Sequence, residues 1–300
     1  MSDTIPHTPF ALLSGSAGWG VRFPDDLQRD GVRVAQRGLV FDTPWGRTEN
    51  WQLVEIDGAL AIDGQTRRFL NVFAHGWPLD AIDRAAHRRV AWVLAQAGVR
   101  KVLADSTCGS LNKALQPRDL VIPIDLIDFS QTENSLLEGR FRHLCHANQM
   151  FCPGLAQTVE RAARALWPAP GRVLGHAKQI VVTHDWGPRF TSRAEARAFQ
   201  LLGADAINQS ICPEANAVRE IGACFASASY VVCYEPGIAA AEDGIDAIHG
   251  DLAMATSRIS LEAMASLALD DSCGCAALRV ERPRGYAQFA QSGRTPVTDR

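Results

Sequence analysis

Lys101–Leu111 reads KVLADSTCGSL, an apolar run that gives way to five small residues, Ser106–Ser110, three of them with hydroxyls and one with a thiol. Such a cluster where a strand is expected to end is the pattern by which α/β sheets hold ligands at their strand ends. Read without a ligand, it is a polar turn whose hydroxyls satisfy the backbone. Upstream, RFLNVFAHG (68–76) reads as a second strand, and Ala81–Ala97 between the two reads as a helix. Ile82, Ala86, Val90, Val93, Leu94 and Ala97 fall on one of its faces, with Asp80 placed to cap it and Gly98 to end it. Downstream, DLVIPIDLI (119–127) reads as a strand, 154–166 as a helix and QIVVTHDWG (179–187) as a strand into a turn. SRAEARAFQLLG (192–203) opens on a Ser192–Glu195 capping box, and Pro213 suits the first helical position of a helix ending near Gly222. CFASASYVVCY (224–234) is a buried strand by composition, and a long helix follows between Asp243 and Leu269. Alternating strands and helices predict an α/β fold, a central sheet flanked by helices. The expected organisation is an N-terminal extension over 1–9, one domain over 10–270 and a C-terminal segment over 271–300 that ends in a poorly ordered tail.

Composition narrows the function classes. The 300 residues are 47% hydrophobic and 21% charged, with a net charge of -3, so a globular core is available and no basic face for nucleic acid is expected. The longest apolar segment, Ile221–Tyr234, is shorter than the roughly 20 residues that span a bilayer. The N-terminus lacks the features of a secretory leader, so a soluble cytoplasmic protein is expected. Eight cysteines contain no CxxC pair and no Cys/His spacing typical of zinc, and no metal or organic cofactor is expected. Cys273 and Cys275, in CGC, read as a redox pair, as a clamp on the C-terminal region, or as two ordinary thiols.

Four places join strand ends to small polar residues. In LLSGSAGWG (12–20) the backbone and Ser16 can form an anion nest. His75 closes an apolar run ahead of Gly76. The Ser106–Ser110 cluster is the third, and Ser210, just ahead of the helix opened by Pro213, is the fourth. Together they suggest a pocket for an oxyanion and a polyhydroxylated molecule.

Several ordered blocks make the chain resemble a known family. TCGSLNKALQPRDLVIPIDLID (107–128), GPRFTSRAEARAFQLLGADAIN (187–208) and CPEANAVREIGACFAS (212–227) are similar to signature segments of the methylthioadenosine phosphorylase and trimeric purine nucleoside phosphorylase family. FDTPWG (41–46) and LCHANQMFCP (144–153) match further segments in the same order. The resemblance implies a single-domain homotrimer, a pentosyltransferase that cleaves purine nucleosides with phosphate as co-substrate. By this resemblance Ser16, His75, Ser106 and Ser210 would cradle phosphate. Thr107, Cys108, Phe190, Gln209 and Trp186 would line the nucleoside site, and His146 would reach across the subunit interface toward the 5′ substituent. Cys233 and Glu235 would occupy the catalytic positions.

The chain departs from the pattern at three points. Ala74 stands where the family has Arg before His75, and a lost guanidinium–phosphate contact is worth about 1.5–3 kcal/mol. Arg84, Arg88 and Arg189 are candidate replacements. Cys233 and Glu235 replace a pair of acidic residues; Glu235 either reaches the base or caps the Pro236–Gly237 turn. Trp186 replaces a Glu, with His184 and Asp185 just upstream, and Gln209 replaces a Met. These departures leave three expectations: phosphorolysis of a purine nucleoside or modified analogue, phosphate-independent hydrolysis, and nucleoside binding without turnover.

Overall fold

The computed structural model describes residues 2–78, 83–130, 136, 143–145, 150–175, 180–183, 189–240, 244–270 and 272–281, with 143–145, 180–183 and 279–281 described through their backbone. Among the described residues, thirteen strands and five α-helices follow one another in this order: β1 (Phe10–Leu13), β2 (Val32–Thr43), β3 (Gly46–Ile56), β4 (Arg67–Val72), α1 (Ala86–Gln96), β5 (Lys101–Ser110), β6 (Leu120–Val121), β7 (Asp125–Asp128), β8 (His143–Cys145), α2 (Pro153–Leu166), β9 (Val173–Leu174), β10 (Ile180–Thr183), α3 (Arg193–Leu201), β11 (Ala206–Asn208), α4 (Ile211–Glu220), β12 (Cys224–Tyr234), α5 (Ile245–Ala265) and β13 (Arg279–Glu281). All but β8 and β13, which pair with each other, join one mixed eleven-stranded sheet. The α/β expectation is met.

Side-chain alternation along the central strands builds a core on each face of the sheet. Phe10 and Leu12 of β1 and Ala226, Ala228 and Tyr230 of β12 pack with Leu155 and Val159 of α2 and Leu252 and Ile259 of α5. On the other face Ala11, Leu13, Val102 and Phe225 meet Val90 and Leu94 of α1 and Val218 of α4. Fully burying a side chain such as Phe225 contributes about 2–3 kcal/mol.

Strand β5 is where the sheet forks. Along one edge it pairs throughout with parallel β12. On the other edge Lys101–Ala104 pair with β1, and only Gly109 and Ser110 pair with antiparallel β11. Between those two partners, Asp105–Cys108 present their backbone to a gap, and the site lies there.

Several local expectations are corrected. The small-residue cluster is no turn: β5 runs through it to Ser110. The 119–127 stretch is two short strands in different parts of the sheet, β6 beside β12 and β7 beside β10, because Pro123 has no amide to donate and breaks the ladder between them. Helix α1 begins at Ala86 rather than Ala81, behind an Asp83 turn in which the Asp83 carboxylate accepts the Ala85 amide at 2.9 Å; Asp80 lies outside the described residues. Helix α4 starts at Ile211, which puts Pro213 inside its first turn, where its missing N–H costs no helical bond. The Ser192–Glu195 capping box of α3 forms as expected.

The long β2–β3 hairpin lies at one end of the sheet. Its outer strand, β2, takes hydrogen bonds from the start of the chain: the Asp3 amide donates to the Val40 carbonyl at 2.7 Å, and the Asp3 carboxylate accepts the Val40 amide at 2.8 Å. No helix among the described residues is long and apolar enough to cross a membrane.

Candidate active site

The gap beside β5 opens into a cavity of about 600 Å³. Ser16, His75, Ser106, Thr107, Cys108, Phe190, Gln209, Ser210, Cys233 and Glu235, all named from the sequence, line it. His146 and Trp186, with His184 and Asp185, lie outside the described residues.

Asn208 organises the hydroxyl side of the cavity. Its Nδ2 donates to Ser106 Oγ at 2.9 Å and to the orphan Thr107 carbonyl at 2.6 Å, so it substitutes for the ladder bond that β5 lacks here. Its Oδ1 accepts the Ser210 and Ile211 amides at 2.8 and 2.9 Å, holding the N-terminus of α4 against β5. Ser106 and Ser210 are thereby 3.1 Å apart through their hydroxyls, and Ser16 Oγ lies 2.8 Å from Thr107 Oγ1. Four hydroxyls and a helix N-terminus converge, an arrangement suited to an anion.

His75 completes that wall from a strained turn. Ala74, His75 and Gly76 all adopt positive φ, 51°, 53° and 74°, which costs each of the two non-glycine residues about 1–2 kcal/mol. The turn directs the imidazole inward, where Nδ1 meets Glu214 Oε1 at 2.8 Å in a buried pair. Burial alone pulls the His75 pKa down, but the Glu214 carboxylate, with Asp105 behind it, overrides this and the net shift is upward. Gly15 makes room for the imidazole: a Cβ there would lie 2.0 Å from His75 Nε2 and 2.5 Å from the Asp105 carbonyl.

Across the cavity, β12 carries a bulge between Val231 and Cys233 that re-aims its last residues. Glu235 follows, 4% exposed, with its Oε2 unpartnered among the described residues. Burial pushes its carboxyl up to about 7, partly offset by the neighbouring Thr191 hydroxyl. Burial and Glu235 push the Cys233 thiol up to about 11, and burial raises Cys108 as well, so both thiols stay protonated at neutral pH. The turn that follows is closed by the Glu235 main-chain carbonyl accepting the Ile238 amide at 3.1 Å, which leaves the carboxyl to the cavity rather than to the cap.

The carboxyl rests against β5 because Gly109 has no side chain: a Cβ there would lie 1.9 Å from Glu235 Oε1. Gly109→Ala is therefore expected to displace the carboxyl and lower kcat by about 10²-fold, as small misplacements at a reacting centre do. Circular dichroism and steady-state rates on the same preparation separate this from unfolding.

None of the three candidate guanidinium groups lines the cavity. Arg189 pairs with Glu195 at 2.7 Å, Arg88 lies over the Trp45 ring, and Arg84 is likewise not among the lining residues. Among the described residues no Arg or Lys lines the cavity, and His75, whose pKa is raised, is its candidate cationic group; burial lowers the pKa of its other described imidazole, His249, bonded to the Tyr230 hydroxyl at 2.8 Å. Sequence reasoning missed Asn208, Glu214, Asp105 and His249. Asn208 and Glu214 sit inside the quoted blocks, beside Gln209 and Pro213, and a buried Glu in a mostly apolar helix was the available signal.

The fold and this arrangement place the chain in a defined class: it belongs to the phosphorylase superfamily, whose family model matches residues 72–269. Its similarity to S-methyl-5′-thioadenosine phosphorylase of Pyrococcus furiosus is 32% identity over 274 residues, 88% of this chain and 95% of that protein. It is also 35% identical to a probable 6-oxopurine nucleoside phosphorylase of Thermococcus kodakarensis over 162 residues, 51% of this chain and 58% of that one. The match thus spans little more than half the length of that relative. Methylthioadenosine phosphorylase from Schistosoma mansoni in complex with tubercidin shares the fold, with a TM-score of 0.70 at 23% identity over 90% of this chain and 96% of that one. A methylthioadenosine phosphorylase from an antarctic soil metagenomic library gives 0.69 at 23% identity, covering 86% and 85%.

Proposed function

We propose that the chain is a pentosyltransferase that cleaves the N-glycosidic bond of a purine nucleoside, methylthioadenosine-like or a modified analogue, with inorganic phosphate. The products are the free base and a pentose 1-phosphate. One observation carries this reading: a cradle of hydroxyls with a buried imidazole faces, in one cavity, a carboxyl whose pKa lies near 7.

Phosphate occupies the wall of Ser16, Ser106 and Ser210, and His75 as imidazolium supplies the positive charge that a guanidinium at position 74 would otherwise give. A phosphate oxygen forms the new bond to the anomeric carbon as the carbon–N9 bond breaks, and that electron pair moves into the purine. Glu235 in its acid form delivers a proton to N7, and Cys233 offers a neutral thiol beside it. Thr107, Cys108 and Gln209 contact the ribose and Phe190 flanks the base; by the family resemblance Trp186 would add to the base site, and His146 of a neighbouring subunit of a homotrimer would serve the 5′ group.

Both ionisations push the pH profile the same way. The acid form of Glu235 is present below about 7 and lost above it, and the His75 imidazolium is lost as pH rises past its raised pKa. Turnover is therefore expected to fall by about tenfold per pH unit on the alkaline side of neutrality; a rate flat from pH 6 to 9 overturns the assignment of Glu235. The activity itself is tested by incubating methylthioadenosine, adenosine, inosine and guanosine with and without phosphate and following free base. Release of no base from any of them overturns the proposal. A water-driven cleavage is favoured by one feature, the lack of a lining Arg or Lys among the described residues; equal rates with and without phosphate identify it.

A further inference from the structure

Far from the cavity, four thiols that are scattered in sequence meet in space. The Sγ atoms of Cys152, Cys224, Cys273 and Cys275 all lie within 4.8 Å of one another. Cys224 begins β12, whereas Cys233 lies near its other end, so the cluster is roughly 30 Å from Cys233 at about 3.3 Å per residue.

We propose that these four cysteines bind one Zn²⁺ as a tetrahedral thiolate site that fastens the segment after α5 to the far end of the sheet. Zn–S bonds of about 2.3 Å give a tetrahedron with S–S edges of about 3.8 Å, and the Cys224–Cys273 separation of 3.4 Å is close to such an edge and far from a disulfide bond. A polynuclear iron–sulfur cluster interposes its own atoms and needs its thiolates farther apart.

The frame is built to hold the sulfurs in place. The Cys152 amide donates to the Phe225 carbonyl at 2.7 Å and the Cys224 amide to the Arg100 carbonyl at 2.8 Å, so two ligands sit on fixed backbone. The other two are separated by Gly274, whose φ of 68° turns the chain tightly enough to bring both thiols to one side. Cys152 also stands at the N-cap position of α2. The buried Arg219 guanidinium lies against Cys275. A buried guanidinium beside four thiolates offsets the net charge of -2 that Zn²⁺ leaves. On binding, Zn²⁺ replaces the thiol protons, which pass to solvent, and nothing is oxidised.

The test uses the full chain purified under reducing conditions from zinc-supplemented medium. Elemental analysis is expected to give about one zinc per chain. Replacing zinc by Co²⁺ is expected to give the intense thiolate-to-metal charge-transfer absorption of a tetrahedral sulfur site. The Cys273→Ser/Cys275→Ser variant should lose the metal and that absorption by at least about tenfold, while circular dichroism reports that it remains folded. Wild-type protein that neither carries zinc nor takes up cobalt overturns the proposal, as does iron in place of zinc, or peptide mapping that finds any of the four joined in a disulfide. These readouts do not depend on the catalytic reading.

Discussion

Glu235→Gln is expected to lower kcat by about 10²- to 10⁴-fold, the range for loss of a positioned general acid, with the KM for nucleoside little changed. The amide keeps the shape of the carboxyl and can still donate a hydrogen bond toward the base, but it cannot transfer a proton. What is removed is confined to the transition state, so the loss belongs in kcat. The alkaline limb of the profile that Glu235 sets should vanish with it. Stability gives a second readout. A carboxyl that ionises near 7 in the fold and near 4.3 when unfolded weakens the fold as pH rises between those values. Glu235→Gln should flatten the denaturation midpoint across that window. A fall in kcat of less than about tenfold overturns the role given to Glu235.

Ala74→Arg is expected to lower the KM for phosphate by about ten- to a hundredfold, the worth of one bidentate charge-assisted contact. Position 74 lines the cavity next to His75. Its positive φ strains Ala and Arg alike, so the substitution adds a charge without adding a new backbone cost. With a permanent cation beside it, the His75 imidazolium matters less, and phosphate affinity should hold to higher pH. If phosphate KM stays put while the protein remains folded, the anion lies elsewhere in the cavity and the cradle is wrongly placed.

What the sequence disclosed follows from how local each signal is. Strands buried on both faces, such as 224–234, and the Ser192–Glu195 cap are written in neighbouring residues. The hydroxyls at 16, 106 and 210 and the imidazole at 75 stood out because small polar groups end apolar runs. The fork beside β5 could not be read, since it depends on which distant strands stop against it. The His75–Glu214 pair spans 139 positions, and no pattern within either segment links them. The four clustered cysteines belong to three separate parts of the chain, so their spacing shows nothing of a zinc motif. The β2–β3 hairpin escaped because half of β2 is polar or glycine and few of its residues are buried, which weakens its alternation.

The hydrogen bonds that join Ser2 and Asp3 with Val40 and Asp42 carry a consequence for behaviour in solution. Strand β2 ends the sheet, and an outermost strand with free amides and carbonyls is a template on which other chains can add. Here a few residues of the same chain occupy part of that template. Arg33 and Arg37, charged and exposed along the same strand, make the remainder unwelcoming to an incoming strand. The first residues of the chain thus shield this edge from strand-on-strand addition and leave assembly through other faces open.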